Sequence, residues 1–308
     1  MWPHTSGRDT NSSSDVKGLP AAMMGAHHAA CGAAAWVALT TNIHVDLSAA
    51  AEKFAFLPHS FDIGFGLLDV SPVGIVTGAL VTAGAAMLPD ADHHNATIAH
   101  SLPPLSNAMC AGIGKVSGGH RHGTHSVVGI AVFVLIAFLA GLWTYDLENF
   151  GTIYPGAGIL SVLLVAFAAK ALKIIPDRMR KSPWAVGLTV GAFITFFAPQ
   201  EQNWFPIAMG VGVIIHILGD MMTTEGCNLA WPFAIKPPKA FKNIPILNAC
   251  WHSNGYMTIP VLGHAGSVRE WLLLVPIGAY AIFGVGSTLV GMGQSGLHEI
   301  VQAAAIGR

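Results

Sequence analysis

SVVGIAVFVLIAFLAGLWTY, Ser126 to Tyr145, runs for twenty residues without an Asp, Glu, Lys or Arg. As an α-helix it is about 30 Å long, the thickness of a bilayer's hydrocarbon core. Backbone in lipid must satisfy its own polar groups, and a helix does so within one segment. Six more charge-free runs read the same way: Ala21 to Thr41, Val70 to Pro89, Phe150 to Ala169, Ser182 to Gln200, Gln202 to Gly219 and Trp271 to Leu297. Trp143, Trp184, Trp204 and Trp271 lie near run ends, where interfacial anchors concentrate.

The composition points the same way. Only 10% of the 308 residues are charged, against about 25% in soluble domains. The 35 glycines suit close helix packing in lipid. The expected fold is all-α: a polytopic integral membrane helical bundle of about seven transmembrane spans. Residues 1–20 read as a disordered tail, with Met23 or Met24 as an alternative start, and residues 21–300 as one transmembrane domain. A net charge of -1 offers no basic face for nucleic acid. Membrane lipids are the expected surroundings, and no obligate protein partner is implied. Cys31, Cys110, Cys227 and Cys250 form no C-x-x-C pair and read as reduced, structural residues.

Lys and Arg set the orientation. Lys115 and Arg121 follow the second run. Lys173, Arg178, Arg180 and Lys181 follow the fourth, and Lys236, Lys239, Lys242 and Arg269 follow the sixth. The odd-numbered loops are acidic instead, with Asp146 and Glu148 after the third run and Glu201 after the fifth. The N-terminus and even-numbered loops therefore face the cytoplasm.

Against this apolar background the imidazoles and carboxylates collect in four places. LPDADHH (Leu88 to His94) holds Asp90, Asp92 and His93, and GGHRHGTHS (Gly118 to Ser126) holds His120, Arg121 and His125. In IIHILGDMMTTEG (Ile214 to Gly226), His216 and Asp220 are four apart, hence on one helix face. His28, with His27 beside it, lies near the start of the first run. Under the orientation above, all four places fall at the cytoplasmic side. These side chains bind borderline and hard divalent cations, and ionisable groups near a membrane interior are costly and usually functional. Plainer roles compete: Asp90 and Asp92 as turn residues, Thr124 and Ser126 as caps of the third run, Ser267 with Glu270 as a capping box, and Arg121 as a topology charge. His44, His59, His264 and His298 read as packing residues.

The motifs M-G-x-H-H-x-x-x-G (Met24 to Gly32), L-P-D-x-D-H (Leu88 to His93), G-H-R-x-G-T-H-S (Gly119 to Ser126) and H-x-x-x-D-x-x-T-x-x-G (His216 to Gly226), followed by Trp231-Pro232, make the chain resemble the YdjM-like family of bacterial membrane-bound metal-dependent hydrolases. The resemblance implies an inner-membrane, multi-pass hydrolase with His28, Asp90, Asp92, His93, His120, His125, His216 and Asp220 as metal ligands. It implies a divalent metal, zinc first, with manganese or magnesium as alternatives.

Eight ligands exceed the four of one tetrahedral zinc, so two ions bridged by Asp90, Asp92 or Asp220 are expected. Asp92, Asp220 and Arg121 are the expected catalytic groups, Arg121 by holding an anionic phosphate. The substrate is expected to be a lipid or small-molecule phosphoester or ester at the cytoplasmic face. A metal-ion or proton-coupled transporter is the alternative, and a membrane scaffold with structural metal a third reading. The segment from Cys227 to Val268 has no clear periodicity and is expected to lie over the site as a lid.

Overall fold

Ser71 caps the helix at the centre of the protein: its Oγ accepts from the Gly74 N–H at 3.2 Å, and Pro72 opens the first turn, where a missing N–H costs nothing. This computed structural model describes residues 23–93, 96–176, 179, 181–198, 203–264 and 266–306. The tail at 1–20, His94, Arg178 and Arg180 lie outside the described residues, as do the side chains of Lys242 and His298.

Ten α-helices are described: α1 (Met23–Thr40), α2 (Ser48–Ala51), α3 (Pro72–Ala85), α4 (Leu105–Val116), α5 (Val127–Gly141), α6 (Pro155–Ala171), α7 (Ser182–Phe197), α8 (Trp204–Met221), α9 (Pro245–Cys250) and α10 (Val268–Ile306). Helices stand on all seven apolar runs. Three stretches, Pro72–Asp92, Trp204–Met221 and Val268–Gly296, are long and apolar enough to cross a membrane. Helices α5, α6 and α7 are apolar but shorter, at 15, 17 and 16 residues. At 1.5 Å per residue these reach about 22 to 26 Å, below the ~30 Å of hydrocarbon.

The expectation of an all-helical chain needs one amendment. Two antiparallel hairpins, β1–β2 (Ile43–Asp46 with Ser60–Ile63) and β3–β4 (Tyr145–Leu147 with Gly151–Ile153), occupy loops between helices. In the first, His44 is opposite Asp62 and bonds it at 2.8 Å, a cross-strand pair on an exposed surface.

Helix α3 packs against α1, α6, α8 and α10. Its apolar stretch is 72% buried, against 56% for that of α8 and 17% for that of α10, so α3 is the core and α10 the periphery. Small residues make this possible. A Cβ on Gly84 would lie 1.9 Å from the Leu164 carbonyl of α6, and one on Gly212 would lie 2.5 Å from the Thr82 carbonyl of α3. With the α8 backbone this close to α3, His216, one turn beyond Gly212, donates from Nδ1 to the Ala86 carbonyl just past the end of α3 at 2.6 Å.

Two further features carry the chain around the site. After α3, Pro89 starts a short 3-10 turn, Pro89–Asp92, that presents both aspartates. The amphipathic helix α4 then buries Ser106 and Cys110, and leads into Gly118 and Gly119, both with positive φ. The following residue pair ends at Arg121, which also has a positive φ, 61°. That conformation is uncommon for a residue with a Cβ.

Candidate metal centre

Asp92 is the buried post on which the Gly118–Ser126 loop is built. Its Oδ2 accepts from the Arg121 backbone N–H at 3.0 Å and from Thr124 Oγ1 at 2.7 Å. His125 Nδ1 lies 3.3 Å from the same oxygen, and His120 Nδ1 lies 2.9 Å from Oδ1. The left-handed backbone at Arg121 is held by this bond and by its own buried side chain. Thr124 is thus a loop tether, while Ser126 caps α5 by accepting from Gly129 N–H at 3.1 Å.

With Nδ1 turned to Asp92, His125 directs Nε2 the other way. His216 does likewise, because its Nδ1 is committed to Ala86. The two Nε2 atoms are 3.2 Å apart. Asp220 Oδ2 lies 3.3 Å from His125 Nε2 and 3.7 Å from His216 Nε2, and Asp90 Oδ1 lies 3.9 and 3.7 Å from the same two atoms. Two groups of three, His28–His216–Asp220 and Asp90–His125–His216, each place one ligand atom per residue within 4.8 Å of the others.

These separations fit a divalent ion. Four ligands at zinc's bond lengths of about 2.0 to 2.1 Å stand roughly 3.3 Å apart at tetrahedral angles. Asp220 Oδ2 is buried between Arg121 Nε, at 3.1 Å, and the Nε2 atoms of His125 and His216. His216 offers one free nitrogen, so the two groups of three cannot each fill an ion through it. The two groups share His216 and therefore adjoin each other.

His125 is titrated by its neighbours. Burial disfavours the imidazolium, but hydrogen bonds to Asp220 and Asp92 outweigh burial and raise its pKa to about 9. In the ion-free chain a proton thus occupies the place between acceptors that a cation fits.

The remaining candidates surround this core. His28 stacks on His216 with ring centroids 3.9 Å apart, and its Nε2 is 3.3 Å from Asp220 Oδ1. Arg121 grips Asp220 through Nη2 at 3.2 Å and Nε at 3.1 Å, and reaches Glu225 through Nη1 at 2.9 Å. It is therefore engaged by two carboxylates. His93 lies beside His120, ring centroids 5.0 Å apart. All eight candidate ligands sit in one continuous cluster, with Asp92 behind His125 and His120.

Glu225, Tyr256 and Thr258 went unread in the sequence, and Glu270 was read there only as a cap. Glu225, in the TTEG that ends the α8 motif, pairs with Arg121. Tyr256 from the segment after α8 approaches His122 Nδ1 at 3.1 Å, and Thr258 of that segment bonds the Met221 carbonyl, so the segment packs over the centre's rim. Glu270 accepts from Gly266 N–H, and its own N–H donates to Ser267 Oγ at 3.3 Å, as a capping pair would, but its carboxylate also binds His27 across 243 residues. A carboxylate at a helix start was the available signal for Glu270, and its capping role accounted for it fully.

The four cysteines are free thiols. Burial, with Asp220 nearby, pushes the Cys227 thiol up and favours its neutral form.

No curated protein and no solved structure matches the chain. A family model described as "YdjM inner membrane protein" matches residues 23–290, which include every candidate ligand. The chain belongs to the YdjM inner membrane protein family.

Proposed function

We propose that the protein is a seven-span membrane hydrolase whose centre, at the cytoplasmic face, holds one zinc ion through His125, His216, Asp90 and Asp220. The observation that carries this is the meeting of two imidazole Nε2 atoms 3.2 Å apart with the buried Oδ2 of Asp220, 3.3 Å from the nearer of them. Imidazole with carboxylate favours zinc, with manganese next and magnesium less suited to nitrogen ligands.

A bound divalent ion supplies an acidified water and polarises a substrate oxygen. The chain's residues do the rest. Asp92 fixes the ring of His125 and holds His120 by Nδ1, leaving His120 Nε2 to take and return a proton; the His120 side chain is 41% exposed. Arg121 holds Asp220 in register. Glu225, 66% exposed, is the partner an anionic group of the substrate would displace from Arg121.

The placement of the cluster supports an enzyme over a transporter. Asp220 is next to last in α8, His125 precedes α5, and Asp90 follows α3. Transporters instead set their ion ligands near the bilayer midplane at broken helices.

Elemental analysis of the purified protein tests the metal, with one zinc per chain expected and none in His216→Ala. Turnover of long-chain ester and phosphodiester lipids should then stop on chelation and resume on adding zinc. Undiminished turnover by metal-free protein would overturn the reading.

A further inference from the structure

A cavity of about 710 Å³ opens between α1, α8 and α10, beside the metal centre. Its walls are largely apolar: Ala34, Ala35 and Ala38 from α1, Leu218 from α8, and Leu274 and Ile277 from α10. On each helix the lining positions recur at three- and four-residue spacing, so one face of each forms the wall. Five polar side chains break this lining: His27, His28, Thr223, Glu270 and Tyr280. His28 belongs to the metal cluster, while His27, Glu270 and Tyr280 do not.

His27 and Glu270 are bonded to each other, both buried, and His27 Nε2 and Tyr280 Oη have no hydrogen-bond partner among the described residues. Unpartnered polar atoms on an otherwise apolar wall are the pattern of a small-molecule site, where a few polar groups orient a mainly hydrocarbon ligand, and the volume lies in the usual range of about 300 to 1,000 Å³.

A second cavity, of about 500 Å³, lies between α1, α3 and α10 and makes the contrast. Leu80 and Val285 are typical of its lining, which contains no ionisable residue, and none of the metal cluster borders it. A gap of that kind is what bilayer lipid fills. The first cavity differs in touching the centre through His28 and Thr223 and in carrying polar groups with bonding capacity to spare.

We infer that the cavity between α1, α8 and α10 is the chain-binding subsite of the metal centre, taking the hydrocarbon tail of an amphipathic substrate whose polar linkage is held between His27 and His28. This rests on the hydrolase reading above for the word substrate, but the binding claim can be tested without turnover.

The test uses the full chain in nanodiscs of phosphatidylethanolamine and phosphatidylglycerol, with a phosphatidic acid bearing a photoreactive diazirine at mid-chain as probe. Irradiation followed by peptide mapping should label α1 and α10 around Ala35 and Leu274. Ala35→Trp should cut that labelling at least fivefold while retaining wild-type zinc; Leu274→Trp, from the opposite wall, should do the same if the first variant folds poorly. Ala281→Trp, in the second cavity, should leave it unchanged. Labelling that survives both wall variants, or falls equally in Ala281→Trp, would mean a boundary lipid only and would overturn the subsite. Absence of zinc from the wild-type protein would instead sink the hydrolase reading and leave the labelling result to stand by itself.

Discussion

Replacing Asp92 by Asn separates a residue that supports the centre from one that binds in it. Asp92 accepts from Arg121 N–H and Thr124 Oγ1 at one oxygen, with His125 Nδ1 3.3 Å from that oxygen and His120 at the other. An asparagine can keep its carbonyl toward the three-donor side and turn its amide toward His120, which can accept by changing tautomer. The loop then keeps most of its bonds, and the structural loss is limited to about one charge-assisted hydrogen bond, roughly 1.5 to 3 kcal/mol. His125 loses the carboxylate behind its ring. Partners in that position typically contribute 10- to 100-fold in metal affinity, or about 1.4 to 2.8 kcal/mol. Zinc competition against a fluorescent chelator should therefore show Asp92→Asn weakened by one to two orders of magnitude but still loaded at saturating zinc, while the protein remains membrane-inserted. Complete loss of zinc in Asp92→Asn, with Asp220→Asn still loaded, would place Asp92 among the direct ligands and refute the geometry described here.

Three other outcomes follow from the same contacts. Asp220→Asn should lose zinc beyond the 100-fold level and abolish turnover; it also leaves the buried Arg121 with only the exposed Glu225 as carboxylate partner, so a stability loss near the lower end of the 3 to 5 kcal/mol typical of breaking a buried pair is expected in a denaturation assay. Because His125 has its pKa raised to about 9, a zinc ion must displace its proton, and affinity measured between pH 6.5 and 9 should rise about tenfold per unit and then level off. The same shift stabilises the ion-free fold fully below pH 6.5 and loses that contribution as pH rises through about 9, so apo-protein melting should fall over that window; a flat profile in both would show that His125 carries no such proton. Gly212→Val should push α8 from α3, where even a Cβ meets the Thr82 carbonyl at 2.5 Å, costing about 1 to 3 kcal/mol and lowering zinc affinity through His216, whereas Gly141→Val, in open space, should do neither.

The helical, membrane character of the protein was readable from residue order, because lipid demands charge-free runs long enough to close their own hydrogen bonds. Each such run carries a helix, although α5 to α7 are shorter than their runs. Tyr145 and Gly151 to Ile153, read inside runs three and four, pair as a hairpin instead. The hairpin at Ile43–Ile63 was equally hidden, since four-residue strands have too few positions to show a period.

The site divides in the same way. Spacing alone placed His216 and Asp220 on one helix face, and loop charges placed the other candidate ligands at the same end of the bundle. Which nitrogen each histidine turns inward depends on Ala86 and Asp92, groups distant from their partners in the chain. The His27–Glu270 pair joins the first helix to the last, and no local pattern announces a contact across 243 residues. Residue types and their periods determined which candidate ligands the chain carries and which face of a helix or end of the bundle they occupy. Only the close packing of α3, α8 and α10 decided their distances, because ångström-scale separation is set by what fills the space between helices rather than by order along any one of them.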